Sequence, residues 1–227
     1  MLDRIRGGLI VSCQALPNEP LHSSFIMGRM ARAATEGGAV GIRANTPEDI
    51  CEIAKNTLLP IIGIVKRDYP DSPIYITPTI REISELAQTP CSMIAFDATD
   101  RPRPAGELLE DFVSKARCAA PGKKLMADVA TLDEAIRAEQ LGFDCVSTTL
   151  MGYTAQSEGH NIADDDFARL KAILAAVHIP VIAEGHVDTP AKARRCIELG
   201  AHAVVTGGAI TRPQLITKTF TDAIYGK

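Results

Sequence analysis

Short apolar runs, rich in β-branched residues, recur along the whole chain and are separated by stretches of helical length. Polar and apolar positions do not alternate within the runs, which is typical of parallel strands covered on both faces rather than of half-exposed strands. The pattern therefore predicts eight strands, at residues 9–11, 39–42, 61–65, 93–96, 125–127, 145–147, 180–183 and 203–205.

The segments between these runs carry the signals of amphipathic helices. Apolar residues at positions 27, 30, 31 and 34 fall on one helical face. Thr-Pro pairs at 46–47, 77–78 and 189–190 predict helix starts, because a threonine hydroxyl caps a helix and proline suits its first position. Thr131 and Glu134 have the spacing of a capping box. Glycines at 37, 142 and 200 predict helix ends in a left-handed conformation.

Eight strand–helix repeats, with no linker or break in composition, predict an α/β protein whose residues 1–227 form a single (β/α)8 TIM barrel. Parallel strands need helical crossovers, and eight of them can close into a ring without a free edge. The frame Thr-x9-Leu-Gly occurs at both 131–142 and 189–200, as expected for duplicated units. An open doubly wound sheet is the alternative, but no Gly-x-Gly-x-x-Gly follows the first strand to support a dinucleotide-binding fold.

The composition is that of an ordinary globular protein. Of 227 residues, 46% are hydrophobic and 23% are charged, which excludes a disordered chain. The net charge of −4 and the absence of long basic runs argue against nucleic acid as a partner. No apolar run reaches the ~18 residues that span a membrane, and the apolar stretch at 9–13 is too short for the core of an export signal. We expect a cytoplasmic protein.

Cysteine and histidine spacings indicate neither disulfides nor a metal site. The six cysteines are scattered without a Cys-x-x-Cys pair, and the five histidines lack the spacings of metal motifs. Cys13 and Cys145 lie within predicted strands and are expected in the core. The sequence therefore predicts a site that holds no metal and needs no cofactor.

Catalytic groups of such barrels lie at the carboxyl ends of the strands. The residues that follow the apolar runs are mostly charged or polar. Placement on the solvent-exposed surface does not explain why they come directly after strongly apolar strands. They are Gln14, Arg43, Lys66, Arg67, Asp68, Asp97, Asp128, Thr148, Thr149, Glu184, Gly207 and Gly208. We expect them to converge on one cavity.

Lys66 and Glu184 form the candidate catalytic pair. Lys66 follows five apolar residues, so burial and nearby cations should lower the pKa of its amine and leave part of it free as a base or nucleophile. Glu184, at the end of the seventh strand, is a natural proton donor or acceptor. Asp128 can accept hydrogen bonds from sugar hydroxyls or from Lys66. The structural alternatives are a solvated Lys66, a Glu184 that only pairs with a cation, and an Arg43 that balances acids rather than binding substrate.

A small-residue turn at the eighth strand is a candidate phosphate site. Gly207 and Gly208 lead into the last helix and, with Gly185, offer backbone N–H groups at the place where many barrels of this type hold phosphate. Arg212 lies close by in the sequence and can add charge there. Gly-Gly alone is more often only a turn.

Several of these strings, taken in order, carry a family signature. They are Leu-Ile-Val-Ser-Cys-Gln-Ala at 9–15, Val-Gly-Ile-Arg-Ala at 40–44, Gly-Ile-Val-Lys-Arg-Asp-Tyr at 63–69, Met-Ala-Asp at 126–128, Val-Ser-Thr-Thr at 146–149 with Gly-Tyr-Thr at 152–154, Ala-Glu-Gly at 183–185, and Gly-Gly-Ala-Ile-Thr-Arg-Pro at 207–213. From about residue 7 to the last helix, the chain resembles the N-acetylmannosamine-6-phosphate 2-epimerase family.

The resemblance implies a TIM barrel that interconverts N-acetylmannosamine 6-phosphate and N-acetylglucosamine 6-phosphate in bacterial sialic acid catabolism, without metal or nicotinamide. It implies catalytic roles for Lys66 and Glu184. The candidates for substrate binding are Gln14, Arg43, Asp128, Thr148, Tyr153 and Arg212. His186 departs from the family pattern, in which a basic or amide residue more often follows Ala-Glu-Gly.

Two rival functions stay open on the sequence. One is a Schiff-base aldolase or lyase in which Lys66 attacks a carbonyl, and the other is a barrel that only binds a sugar phosphate. Leu215, Phe220 and Ile224 near the end of the chain favour a homodimer, but the same residues can pack within the barrel shell.

Overall fold

A computed structural model describes residues 1–226, and in this part of the chain eight parallel strands form a closed barrel. The strands are β1 (Leu9–Cys13), β2 (Gly41–Asn45), β3 (Ile61–Ile64), β4 (Met93–Asp97), β5 (Lys124–Asp128), β6 (Cys145–Ser147), β7 (Val181–Ala183) and β8 (Ala203–Thr206). The barrel closes where Leu9 of β1 pairs with Val204 of β8. The predicted TIM barrel is confirmed, and the open-sheet alternative is wrong. Lys227, the last residue of the predicted domain, lies outside the described residues.

Helices follow the strands and form the outer layer, except for one short helix that precedes β1. They are α1 (Leu2–Ile5), α2 (Ser24–Glu36), α3 (Pro47–Asn56), α4 (Ile80–Ala87), α5 (Leu109–Ala119), α6 (Leu132–Gln140), α7 (Asp164–Ala176), α8 (Pro190–Glu198), α9 (Gly208–Thr211) and α10 (Pro213–Tyr225), with a 3₁₀ turn at Pro104–Gly106. Among residues 1–226, no helix combines the length and apolar character that crossing a membrane requires.

Successive residues of each strand belong to two different apolar clusters, because side chains alternate across a strand. Ile10 and Met93 belong to the cluster inside the barrel, whereas Val11 and Ile94 belong to the layer beneath the helices. Ile5 of α1 joins the inner cluster and closes the amino-terminal end of the barrel. The opposite end is left for polar residues.

The predicted caps hold at three of four helix starts. Thr46 accepts a hydrogen bond from the backbone N–H of Asp49, Thr189 accepts one from Lys192, and Thr131 forms the predicted capping box with Glu134. These hydroxyls satisfy N–H groups that have no partner within the first turn of a helix.

The prediction of a helix start at Thr77-Pro78 was wrong, because the Thr77 side chain binds the backbone just after β3 instead of capping a helix. Its buried hydroxyl accepts a hydrogen bond from the N–H of Val65 at 3.2 Å. Helix α4 begins two residues later, where Thr79 and Glu82 form a capping box. Gly37 was also misjudged, since its φ of −76° is right-handed and Gly38 takes the left-handed position.

Helix α10 differs from the others because none of its residues is buried. Phe220 is 67% exposed and Ile224 is 73% exposed. The helix lies beside the open end of the barrel, where Leu215, Ile216 and Thr219 contribute to the wall of the main cavity.

Candidate active site

A cavity of about 1000 Å³ lies at the carboxyl ends of the strands. Its wall includes nine of the eleven residues predicted for the site, namely Gln14, Arg43, Lys66, Tyr153, Glu184, Gly185, Gly207, Gly208 and Arg212. The other two, Asp128 and Thr148, are fully buried behind the wall. The convergence follows from the barrel, which brings the ends of all eight strands to one mouth.

Arg43 links two carboxylates at the base of the cavity. Its guanidinium donates two hydrogen bonds to Asp128, Nη1 to Oδ1 at 3.0 Å and Nη2 to Oδ2 at 2.6 Å. Nη1 also lies 2.7 Å from Oε2 of Glu184. With 1% of its surface exposed, Arg43 compensates charge that could not otherwise be buried. This placement favours Asp128 acting through Arg43 over a direct contact with substrate.

Neighbouring hydroxyl groups hold both the backbone and the side chain of Glu184. The hydroxyl of Thr148 donates to its backbone carbonyl at 2.7 Å and accepts from its backbone N–H at 3.0 Å. Its side chain meets the hydroxyls of Thr149 and Ser147. Thr148 thus orients the catalytic candidate and has no exposed surface to offer a ligand.

Burial raises the pKa of the Glu184 carboxyl, and the neighbouring charge of Asp128 raises it further, while Arg43 opposes the shift. The net direction is upward. A carboxyl in this environment keeps a proton more readily than an exposed glutamate, as a general acid must.

Lys66 projects from the end of β3 into the same cavity. Its backbone N–H donates to the side chain of Asn45, and it pairs with Ile76 in an isolated bridge, so the main chain is fixed on both sides. Burial lowers the pKa of its amine to about 8, helped by the positive charges of Arg43 and Arg212 and opposed by Glu184 and Glu19. The predicted lowering by burial and by neighbouring cations is what this environment produces.

Arg212 is tied to a residue that the sequence did not single out. Its Nη2 donates to Glu19 Oε2 at 3.0 Å, its Nε donates to the other oxygen, and Gln214 adds a third hydrogen bond. Glu19 also accepts from the backbone N–H of Leu16, and the hydrogen bonds from Arg212 lower the pKa of its carboxyl. The clamp connects the loop after β1 to the start of α10, so Arg212 is held beside the cavity.

The three predicted glycines line one side of the cavity. Gly208 opens α9, whose first N–H groups have no acceptor within the helix. Gly185 has a φ of +89°, and a Cβ there would lie 3.1 Å from the carbonyl oxygen of Thr148. A larger residue at position 185 would therefore strain the backbone and crowd the strand beside it.

Tyr153 and His186 stack in parallel at the cavity wall, with ring centroids 5.0 Å apart and planes 3° from parallel. Gly152, with a φ of +90°, makes room for this pair, since a Cβ there would come within 3.0 Å of His186 Nε2. The residue that departs from the family pattern is thus part of the wall. Gln14, which follows β1, also lines the cavity. Its Nε2 donates to Ser12, and its Oε1 has no hydrogen-bond partner within residues 1–226.

Sequence reasoning missed Glu19, Thr149 and Tyr75. Thr149 was noted at a strand end but was not chosen, whereas Glu19 and Tyr75 lie in loops that no local pattern marks. Three charged residues that were expected at the cavity lie elsewhere. Asp68 is exposed and does not line the cavity. Arg67 pairs with Glu82 and Glu85 of α4, and Asp97 is buried against Arg101.

The sequence profile of a family described as "Putative N-acetylmannosamine-6-phosphate epimerase" matches residues 27–226. The chain belongs to this family. A family relative from Oceanobacillus iheyensis, described as "Putative N-acetylmannosamine-6-phosphate 2-epimerase", is 60% identical over 97% of this chain and 99% of the relative. A relative from Clostridium perfringens with the same description is 58% identical over 99% of this chain and its own full length.

Two solved structures share the barrel fold of this chain. The N-acetylmannosamine-6-phosphate 2-epimerase from Clostridium perfringens matches with a TM-score of 0.93 and 57% identity, over 98% of this chain and 96% of that one. A thiamine phosphate pyrophosphorylase from Pyrococcus furiosus matches with a TM-score of 0.62 at 19% identity, over 92% of this chain and 89% of that one. The second likeness concerns the fold alone.

Proposed function

We propose that this protein interconverts N-acetylmannosamine 6-phosphate and N-acetylglucosamine 6-phosphate by inverting the configuration at C2. Membership of the epimerase family supports the substrate class. The observation that carries the proposal is the meeting of Lys66 and Glu184 in one cavity, an amine of lowered pKa near a carboxyl of raised pKa. Such a pair suits the removal and return of a proton at carbon.

The proton on C2 becomes acidic only when the sugar ring opens to an aldehyde at C1. We assign this first step to Glu184, which helps to open the ring and protonates or steadies the oxygen that develops negative charge at C1. Its half-buried side chain lies next to Arg43, where the low local dielectric constant strengthens hydrogen bonds and ion pairs to such charges.

Lys66, as the free amine, then takes the proton from C2. The enolate that forms is stabilised by neighbouring cations and hydrogen-bond donors, among them Arg43 and Arg212 in the cavity wall. Proton return to the opposite face uses Glu184 or a hydroxyl of the substrate acting as a shuttle. These steps move protons only, so we propose that the reaction needs neither metal nor nicotinamide.

The phosphate is assigned to the glycine side of the cavity, at Gly185, Gly207 and Gly208, with Gln14, Tyr153 and Arg212 along the sugar. Anchoring at a distant phosphate holds a flexible open-chain sugar in register, and the binding energy serves turnover as well as affinity. Unphosphorylated N-acetylmannosamine should therefore react far more slowly. Comparable efficiency without the phosphate would contradict the anchoring.

Proton exchange at C2 tests the function directly. With wild-type protein in D₂O, NMR should detect deuterium entering C2 of N-acetylmannosamine 6-phosphate, and Lys66→Ala should abolish the exchange. Lys55→Ala is the matched control, because Lys55 lies on the exposed face of α3 and pairs with Glu52. Wild-type protein that leaves C2 undeuterated would overturn the proposal.

The rival functions predict other outcomes. A Schiff-base aldolase or lyase would form a Lys66 adduct with substrate that borohydride traps, whereas the proposed base forms none. A barrel that only binds sugar phosphate would bind the ligand tightly without turnover.

We further propose a cytoplasmic homodimer that covers α10. A helix with no buried residue and three exposed apolar side chains, Leu215, Phe220 and Ile224, is more typical of an interface than of a solvated surface. Size-exclusion chromatography with light scattering distinguishes a monomer from a dimer.

A further inference from the structure

The carboxylate of Glu19 occupies only one edge of the Arg212 guanidinium. Nε and Nη2 of Arg212 donate to the two oxygens of Glu19, the second at 3.0 Å. Nη1 makes no hydrogen bond within residues 1–226. A guanidinium carries two hydrogens on each terminal nitrogen, so Nη1 and the second hydrogen of Nη2 form another edge that is left for a ligand.

This second edge lies beside the turn to which the phosphate is assigned. A Cβ added to Gly208 would lie 3.7 Å from Nη1 of Arg212. Both residues line the cavity. Two parallel N–H groups of a guanidinium match two oxygens of a phosphate. Arg212 can therefore bind Glu19 with one edge and the phosphate with the other.

Glu19 is itself held in place, so it can fix a long side chain. Its backbone N–H donates to the carbonyl of Leu16 at 2.8 Å, and its carboxylate accepts from the N–H of Leu16 at 2.7 Å. The main chain of Arg212 is fixed at the other end, where its carbonyl accepts from the N–H of Leu215 at 2.9 Å. Only the torsions of the arginine side chain are left, and the hydrogen bonds to Glu19 restrict them. An unrestrained arginine would lose that conformational freedom on binding its ligand.

We propose that Glu19 is a positioning residue for the substrate phosphate, because it takes one edge of Arg212 and presents the other edge to the phosphate at Gly207 and Gly208. Glu19 acts through Arg212 and does not touch the substrate. Arg212 is thereby assigned to the phosphate end of the sugar, from where its positive charge still acts on Lys66. The inference rests on the proposed function and names a residue on which its phosphate recognition depends.

Charge alone predicts the opposite effect of Glu19. A carboxylate near a phosphate repels it and offsets the charge of the cation between them. On charge alone, Glu19→Gln should therefore strengthen phosphate binding. Positioning predicts weaker binding, because the NH₂ group of glutamine faces a guanidinium donor and the two-point contact is lost. The sign of the change distinguishes the two effects.

The inference is tested on the whole protein with two single variants and their combination. Glu19→Gln breaks the two-point contact. Arg212→Lys keeps the positive charge but has one nitrogen, which cannot serve both Glu19 and the phosphate. Glu198→Gln is the matched control, because Glu198 pairs with Arg194 on the exposed face of α8.

The measurements are kcat/KM for N-acetylmannosamine 6-phosphate and for unphosphorylated N-acetylmannosamine, and the affinity for inorganic phosphate by calorimetry. We expect each single variant to lower kcat/KM for the phosphorylated sugar about 10- to 100-fold, as for a lost hydrogen bond to a charged group. For the unphosphorylated sugar the change should stay below about threefold, whereas a general loosening of the site would slow both sugars. The double variant should lose little more than either single one, because Glu19 acts through Arg212. Glu198→Gln should match the wild type.

A Glu19→Gln protein whose kcat/KM for the phosphorylated sugar equals or exceeds the wild-type value would overturn the inference, and so would equal losses on both sugars. Should Glu19→Gln fail to fold, Arg212→Lys with wild-type affinity for inorganic phosphate would overturn it instead. Phosphate affinity does not depend on turnover. A wild-type protein without C2 exchange would therefore remove the proposed function, while weaker phosphate binding by Glu19→Gln would still support the positioning role.

Discussion

Replacing Lys66 with methionine should stabilise the protein while abolishing its activity, and the gain should depend on pH. Lysine normally has a pKa of 10.5, and burial lowers the pKa of Lys66 to about 8. The folded state therefore binds the lysine proton less tightly than the unfolded chain does. The difference corresponds to a cost of about 3 kcal/mol wherever both states are protonated, below pH about 8.

The sign of the pH dependence follows from proton binding. Between pH 8 and 10.5 the unfolded chain holds the proton and the folded state does not, so the free energy of unfolding rises with pH in this window. From pH 7 to 9.5 the wild-type protein should recover about 2 kcal/mol that Lys66→Met has no means to recover. Groups that do not interact with Lys66 titrate equally in both proteins and cancel from the comparison.

Urea unfolding followed by circular dichroism at pH 7 and at pH 9.5 measures this difference for both proteins. Lys66→Met should be the more stable protein at pH 7 and should lose most of its advantage at pH 9.5. It should also fail to exchange the C2 proton. Parallel pH dependences for the two proteins would show that Lys66 titrates as an ordinary exposed lysine, and the argument for a free amine would fall.

Three other substitutions address the rest of the site and the outer surface. Arg43→Met leaves Asp128 buried and unpaired, so thermal denaturation should show a loss of about 3–5 kcal/mol, against under about 1 kcal/mol for Arg32→Met in an exposed pair. Gly207→Ala adds a methyl group whose nearest neighbour would be 3.5 Å away. Stability should hold while KM for the phosphorylated sugar rises, and an unchanged KM would remove the phosphate from this turn. Phe220→Glu should convert the proposed dimer to a monomer in light scattering, and a dimer that persists would place the interface elsewhere.

The barrel could be predicted because its signal is local. Each apolar run fits a strand covered on both faces, and eight such runs leave few ways to arrange the chain. The same reasoning placed Lys66 and Glu184, since a charged residue that directly follows a buried strand lies at the mouth of the barrel.

The residues that were missed act through partners far away in the sequence. Glu19 matters because Arg212 lies against it, at a separation of 193 residues. Thr149 matters because β5 and β7 bring Asp128 and Glu184 to either side of it. The predicted helix start at Thr77 was wrong for the same reason. The N–H of Val65, which is distant in the sequence, donates to the hydroxyl that was expected to cap a helix. Local patterns contain no record of these contacts.

The seam between β1 and β8 has a consequence for protein synthesis. Because Leu9 of β1 pairs with Val204 of β8, the barrel cannot close until the chain has been synthesised past Val204. A truncated product lacking the final strand would keep water around Lys66, whose amine would then be an ordinary, fully charged one.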